Sequence, residues 1–297
     1  MIKPYLVAAA CLVGATALAE DPSAEYRAFI EEWRDGRMQR LKAADGYLNL
    51  SGLFWLKEGS SSFGSSSDNT LTFPAVAPEK LGVFDLQDGV VTMTVDHPGV
   101  IHDGKAVKRI VMVDDTRDNP VTVTYQSLAW TVINRIGKVA VRVRDFEHPG
   151  LTELQAFEYF PIDRRYRVWA RLLPFDEPRV MNVDTVIEGL GYNPVSPGRL
   201  EFTIDGEAYR LDAYQSGERL FFVFGDLTNG KETYPAGRFV YTEAPDEHGM
   251  TVIDFNQSYS PPCAFNDFST CPVASPANRL KVRIESGEIH AKTAFWD

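Results

Sequence analysis

The chain is poor in the residues that commit a protein to metal or redox chemistry. Its 297 residues hold three cysteines and five histidines. There is no H-E-x-x-H pair, no G-x-S-x-G elbow, no P-loop and no G-x-G-x-x-G fingerprint. Four histidines sit beside turn residues, at His97-Pro98, His102-Asp103-Gly104, His148-Pro149 and His248-Gly249, and His290 lies near the end. No metal site and no cofactor is read from them. Positive charge is also in deficit, with 30 Lys and Arg against 41 Asp and Glu, a formal charge of −11. With no basic stripe to offset that surplus, nucleic acid is excluded as a partner.

Long apolar runs are missing too, apart from one short stretch at the start. MIKPYLVAAACLVGATALAED carries Lys3, an apolar run from Tyr5 to Gly14, and Ala17-Leu18-Ala19 ahead of two acids. Residues 1–19 therefore read as a signal peptide cleaved after Ala19, which places the protein in the periplasm or outside the cell. The run is too short to span a membrane, so no span is expected in the mature chain. Lipidation at Cys11 is the lesser alternative, since little apolar sequence precedes it. Loss of Lys3 leaves 29 basic against 41 acidic residues.

Two cysteines then remain, in PPCAFNDFSTCP (261–272). A structural zinc site needs about four ligands, and no histidine stands nearby. A redox pair is usually C-x-x-C at a helix start, whereas here the spacing is longer and prolines flank it. In an oxidising compartment the remaining reading is a Cys263–Cys271 disulfide stapling the loop. A loop so short would gain about 2–3 kcal/mol on the chain-entropy model.

Helical periodicity is confined to one segment. Asp21-Pro22 reads as a cap followed by proline at N1, and Tyr26, Phe29, Ile30, Trp33 and Leu41 share a face, giving a helix over about 22–43. From Tyr47 onward the pattern is short alternating strands. Hairpin turns are marked by Asp88-Gly89, Asp103-Gly104, Asp205-Gly206 and Asn229-Gly230. The serine-rich GSSSFGSSS (59–67) reads as an exposed loop, and NRLKVRIESGE as the last strand. The fold class is mainly β: an N-terminal helix (20–45), then an N-terminal β-sandwich (46–150) and a C-terminal β domain (151–297), both antiparallel. The tryptophans at 33, 55, 130 and 169 fit helix or strand positions and read as core. Arg165, Arg167 and Arg171 read as one solvated strand face.

Two resemblances accompany this reading. FGSSSDNTLTFP, LGVFDLQDGVVTMTV and IHDGKAV resemble the rhythm of forkhead-associated domains over roughly residues 52–145, which implies a β-sandwich. Ala77-Pro78-Glu79-Lys80 stands about where the phosphopeptide-binding arginine would be, and the Ser-x-x-His element is absent, so phosphothreonine binding is not implied. GYLNLSGLFWLKEGSSSFG, DLTNGKETYPAGRFVY and DFNQSYSPPCAFNDFSTCPVASPANRLKVRIESGE resemble a bacterial and archaeal family known as domain of unknown function 1684, over nearly the whole mature chain. That resemblance implies no established activity.

Polar residues concentrate in the last third. Asp226, Thr228, Tyr234 and Arg238 lie on or beside one expected hairpin. Asp254, Asn256 and Tyr259 end a strand leading into the 261–272 loop, and Asn278-Arg279 opens the next. Carboxylates serve as bases or cation ligands, arginine as an anion clamp, and tyrosine as donor or stacking ring. The same residues also serve as turn caps and internal ion pairs. Two functions fit: a periplasmic module binding a small ligand or envelope component, or an envelope hydrolase with an Asp/Tyr/Arg site around 226–259. Whether the cluster opens onto one cleft decides between them. Intact-mass measurement of the protein from its native host is expected to show a chain beginning at Glu20. A chain retaining Met1, or lipid on Cys11, contradicts export with cleavage.

Overall fold

The computed structural model describes residues 22–290. The signal segment, Asp21 and Trp296 lie outside them. The helix runs Ala24–Lys42, and its N-cap is Ser23, whose hydroxyl accepts from the Tyr26 N–H at 3.2 Å. The cap therefore falls two residues after the expected Asp21.

Two sheets follow and share one core. The first has the order Leu50–Trp55, Lys138–Asp145, Leu128–Arg135, Thr122–Tyr125, Ile101–His102, Lys105–Ala106. The second runs Leu71–Thr72, Gly59–Gly64, Gly82–Gln87, Val90–Val95, Arg109–Val111. Between them Phe63, Phe84, Met93, Trp130, Val141 and Val143 are fully or almost fully buried. Every paired strand is antiparallel except one pair, Gly59–Gly64 with Leu71–Thr72, which is parallel. The serine-rich segment, expected as a loop over 59–67, is thus an inner strand through Gly64, with residues 65–67 alone in a bend and turn. Ser61 and Phe63 alternate inward, and Phe63 meets the rings of Phe84 at 4.3 Å and Phe73 at 4.9 Å. One large aromatic at the right parity outweighs the loop propensity of its serines.

The expected turns at Asp88-Gly89, Asp103-Gly104 and Asp205-Gly206 have positive φ at both residues, as a two-residue hairpin requires. Ile136-Gly137 adopts the same conformation with no Asn or Asp to announce it. Asn229-Gly230 joins no two ladder strands and lies in an irregular loop. His97 and His148, in the two His-Pro-Gly motifs, do one job twice: each ring Nδ1 accepts from the glycine N–H at 3.1 Å.

A third sheet of six strands occupies the C-terminal half, in the order Arg238–Thr242, Arg219–Phe224, Glu207–Ser216, Val195–Ile204, Arg167–Val180, Met250–Asp254. It curls until its ends approach. Beyond the last strand, Tyr259 exchanges backbone hydrogen bonds with Phe239 at 2.9 and 3.0 Å. Leu200, Phe202, Leu211, Phe222, Phe224, Ile253 and Phe255 fill the inside. The outer face is apolar as well, because Phe221, Val223 and Phe239 point out into a second cluster with Tyr214 and Cys271. RLFFVF is therefore apolar on both sides, as a strand covered on both faces must be. NRLKVRIESGE forms no ladder strand. Its backbone is held by side chains instead: Arg238 donates to the carbonyls of Ile284 and Ser286, and the Ile284 N–H donates to Asp226.

The helix lies against the outside of this third sheet. Ile30 and Leu41 are buried, and so is Arg37 between them. Arg37 Nε faces Glu288 Oε2 at 3.4 Å, Nη2 donates to the Ser260 carbonyl at 2.9 Å, and the guanidinium stands 4.5 Å from the Tyr259 ring centroid. Glu288 accepts in turn from the Ser260 N–H at 3.1 Å. Burial raises the Glu288 carboxyl above its ordinary value of 4.5, with Arg37 and Ser260 opposing. The native state therefore holds that proton more tightly than the unfolded chain does.

Phe63→Ala is expected to cost about 3–5 kcal/mol in urea denaturation, the range for a fully buried aromatic; a cost below about 0.5 kcal/mol would return the segment to the surface. A raised native pKa at Glu288 makes its contribution to stability fall as pH rises above 4.5 through the native value. The stability of wild type relative to Glu288→Gln is thus expected to decline over that window and then level. A difference that grows with pH contradicts the assignment.

Candidate functional site

The nine polar residues singled out in the sequence do not share one space. Asp226 and Arg238 form an ion pair, Nη2 to Oδ2 at 2.8 Å, with both side chains completely buried. The remaining Asp226 oxygen accepts from the Thr228 N–H at 2.8 Å and the Ile284 N–H at 3.3 Å. The pair ties the 226–233 turn to the 284–286 segment and presents nothing to solvent. Asn278 is equally enclosed, bonding the backbone of Asp212 and Val223. Arg279 is exposed, beside Gly225. Tyr234 donates to the Cys263 carbonyl at 3.2 Å.

Asp254, Asn256 and Tyr259 lie elsewhere, under the helix. Asp254 accepts from the Tyr26 hydroxyl at 2.8 and 2.9 Å and from the Asn256 N–H at 3.0 Å. Arg167 Nε stands 3.7 Å away. Burial raises the Asp254 pKa, against the hydrogen bonds from Asn256 and Tyr26. Asn256 also clasps the Asp163 backbone, accepting from its N–H and donating to its carbonyl, both at 2.9 Å. Burial pushes the Tyr259 hydroxyl far above the usual phenol range.

No disulfide joins Cys263 and Cys271, contrary to expectation. The two are neighbouring thiols, and the Cys263 N–H donates to Cys271 Sγ at 3.2 Å. The hydrogen bond from the Cys271 thiol lowers the Cys263 pKa, while burial drives that of Cys271 far up. The loop is fixed by Asn266 instead. Its amide donates to the carbonyls of Tyr47 and Pro262 at 3.1 and 3.2 Å, and its oxygen accepts from Phe268 N–H and Ser269 Oγ at 2.9 and 2.8 Å.

What the helix and the outer face of the third sheet do enclose is a cleft of about 730 Å³. Asp254 and Tyr259 line it, alone among the nine. The aromatic wall is Trp33 from the helix, Tyr47 after it, and Phe221, Phe239 and Tyr241 from the sheet. Trp33 and Tyr259 stand with ring centroids 6.1 Å apart. Charged residues at the cleft are Arg37, Arg40, Arg167, Arg219, Glu243 and Asp254. Arg37 and Arg167 face Glu288 and Asp254, whereas Arg40 and Arg219 make no ion pair among the described residues. Arg219 lies over the Tyr241 ring at 4.6 Å.

The helix residues of this cleft were open to discovery in the sequence. Trp33, Arg37 and Leu41 recur at four-residue spacing, so a guanidinium interrupts the apolar face. The arginine at 219 carried no such signal. Of the other tryptophans, Trp130 is core as expected, while Trp169 is two-thirds exposed on the outer face, in register with Val252 of the cleft. Trp55 borders a second, smaller space of about 440 Å³ against Ile187 and Leu190. Arg165 pairs with Asp163 and Asp205 and belongs to the 3-10 turn before the strand, so it does not share the face of Arg167.

No curated protein matches the chain. Among solved structures, an uncharacterized protein of Haloarcula marismortui, determined by solution NMR, is 27% identical, covering 46% of this chain and 77% of its own, with a TM-score of 0.39. A structure from an analysis of phosphothreonine-dependent FHA domain interactions is 15% identical, covering 32% of this chain and 95% of its own, with a TM-score of 0.21. The resemblance read from the sequence extends to GYLNLSGLFWLKEG, which stands outside the family match. That match covers the third sheet, the 261–272 loop and the segment carrying Glu288: residues 152–289 are matched by the family described as a protein of unknown function, DUF1684.

Proposed function

We propose that the protein is an exported ligand-binding module whose site is the cleft between the N-terminal helix and the outer face of the third sheet. The observation that carries the reading is the cleft itself. Its volume of about 730 Å³ falls inside the usual range for small-ligand sites, about 300–1,000 Å³. Seven aromatic residues and two guanidiniums with no ion pair among the described residues line one concavity, the mixture such sites use, an apolar wall with a few orienting polar groups. Trp33, Tyr47 and Tyr241 keep exposed surface at that concavity, which favours an occupant from outside. The export signal at residues 1–19 favours an occupant met in the periplasm or beyond it.

A hydrolase centred on residues 226–259 draws no such support. Its acid and its arginine are spent on each other with no exposed surface, and the remaining carboxylate, Asp254, is saturated by hydrogen bonds.

Titration with N-phenyl-1-naphthylamine, a neutral apolar fluorophore, tests the reading. Its emission is expected to rise and saturate at one equivalent, with energy transfer from Trp33. Val252→Arg places a charge on the cleft wall from a half-buried outer position and is expected to abolish the signal while leaving the melting temperature within a few degrees. Binding that Val252→Arg leaves intact overturns the assignment.

A further inference from the structure

Resting on that reading, we infer that the occupant is an amphipathic anion, an apolar or aromatic body carrying one carboxylate, sulfonate or phosphate. The chain as a whole is acidic, at −11, so an average surface patch would carry more carboxylates than guanidiniums. The cleft inverts that balance, with four arginines against Glu243 and Asp254. The inversion is sharper when partners are counted. The Asp254 carboxylate is occupied by Tyr26 and Asn256 and faces Arg167. The Arg37 charge is answered by Glu288 from outside the lining. Arg40 and Arg219 are left with no carboxylate partner among the described residues, against one exposed acid, Glu243.

Position separates head from body. Arg40 and Arg219 are exposed, whereas Phe221 and Phe239 are buried and Trp33, Tyr241 and Tyr259 are half-buried. The cations therefore mark the mouth and the rings the interior. Arg219 is already stacked on Tyr241, which holds its planar fork at the rim with little left to order when an anion arrives. A guanidinium offers two parallel donors to a carboxylate, sulfonate or phosphate oxygen pair. Phe221 and Trp33 supply apolar area for the body and no acceptor to compete with the head. The acid surplus elsewhere does not override this, because charges more than about 8 Å away are largely screened at physiological ionic strength.

Paired fluorescence titrations decide the point. 1-Anilinonaphthalene-8-sulfonate and N-phenyl-1-naphthylamine share their rings and differ in the sulfonate. Wild type is expected to bind the sulfonate more tightly than the neutral probe. The double variant Arg40→Gln/Arg219→Gln is expected to weaken the sulfonate by about tenfold or more, the scale of one charge-assisted hydrogen bond, and the neutral probe by less than about twofold. Both positions are exposed, so the variant keeps its fold. Equal loss of the two probes, or no loss of the sulfonate, overturns the anion assignment and leaves the cleft standing as a ligand site. Failure of both probes to bind wild type overturns the cleft reading and this inference with it.

Discussion

The buried contact between Arg37 and Glu288 is the interaction on which the rest of the molecule's shape depends. It joins the first helix to the last described stretch of chain, 251 residues apart. Arg37 and Glu288 are 7% and 1% exposed at their side chains, so neither charge has water to fall back on. Removing one partner of such a pair costs about 3–5 kcal/mol, because the other is stranded. The helix is otherwise weakly committed, with few apolar residues buried beyond Ile30 and Leu41. Its seat on the sheet is therefore specified by where the guanidinium finds Glu288, the Ser260 carbonyl and the Tyr259 ring. Gly287 makes that meeting possible. Its φ is +80°, and a Cβ there would come within 2.2 Å of Ser258 Oγ and 2.7 Å of the Phe255 carbonyl.

The cleft is a geometric consequence of that seat. A helix docked through one arginine touches the sheet along a line and stands off to either side. Trp33 lies one turn before Arg37, and Arg40 about one turn after it, so both overhang the outer face. Beneath them the sheet is apolar on its outer surface, and its cover is incomplete. The 261–272 loop, pinned by Asn266, seals one end through Pro262. Tyr26, hydrogen-bonded to Asp254, closes the floor near the other. Between these seals Phe221 packs on Tyr241 and Phe239 at 4.8 and 4.9 Å, and this stack lines the cleft.

The fold was legible where local chemistry and burial agree. Asp88-Gly89 and Asp205-Gly206 demand positive φ, and the flanking strands alternate in phase with one buried face. It was illegible where one residue reverses its neighbours' preference, as Phe63 does among serines. It was illegible again where side chains replace a ladder, as Arg238 and Asp226 do for residues 284–286. The cysteines show a different limit: spacing placed Cys263 and Cys271 together, but it does not fix whether neighbouring thiols are joined. The polar cluster failed as a site for a related reason. Asp226, Arg238, Asn256 and Asn278 are close in sequence to turns, and buried turns need such groups to satisfy their own backbone. The residues that do line a space came from the helix and from strands of the outer face, separated by about two hundred positions.

That division carries a functional argument. A catalytic centre needs at least one group whose proton or lone pair is free to be exchanged with a substrate. Here the ionisable groups deepest in the cleft are those most completely engaged: Asp254 by Tyr26 and Asn256, Arg37 by Glu288 and Ser260, and Tyr259 by the guanidinium above it. The groups left without an ion pair among the described residues, Arg40 and Arg219, are guanidiniums, which donate and do not accept. Under the proposed reading, such a site attracts, orients and holds an anion. The polar groups inside fix the walls, and the exposed guanidiniums of Arg40 and Arg219 have no carboxylate partner among the described residues.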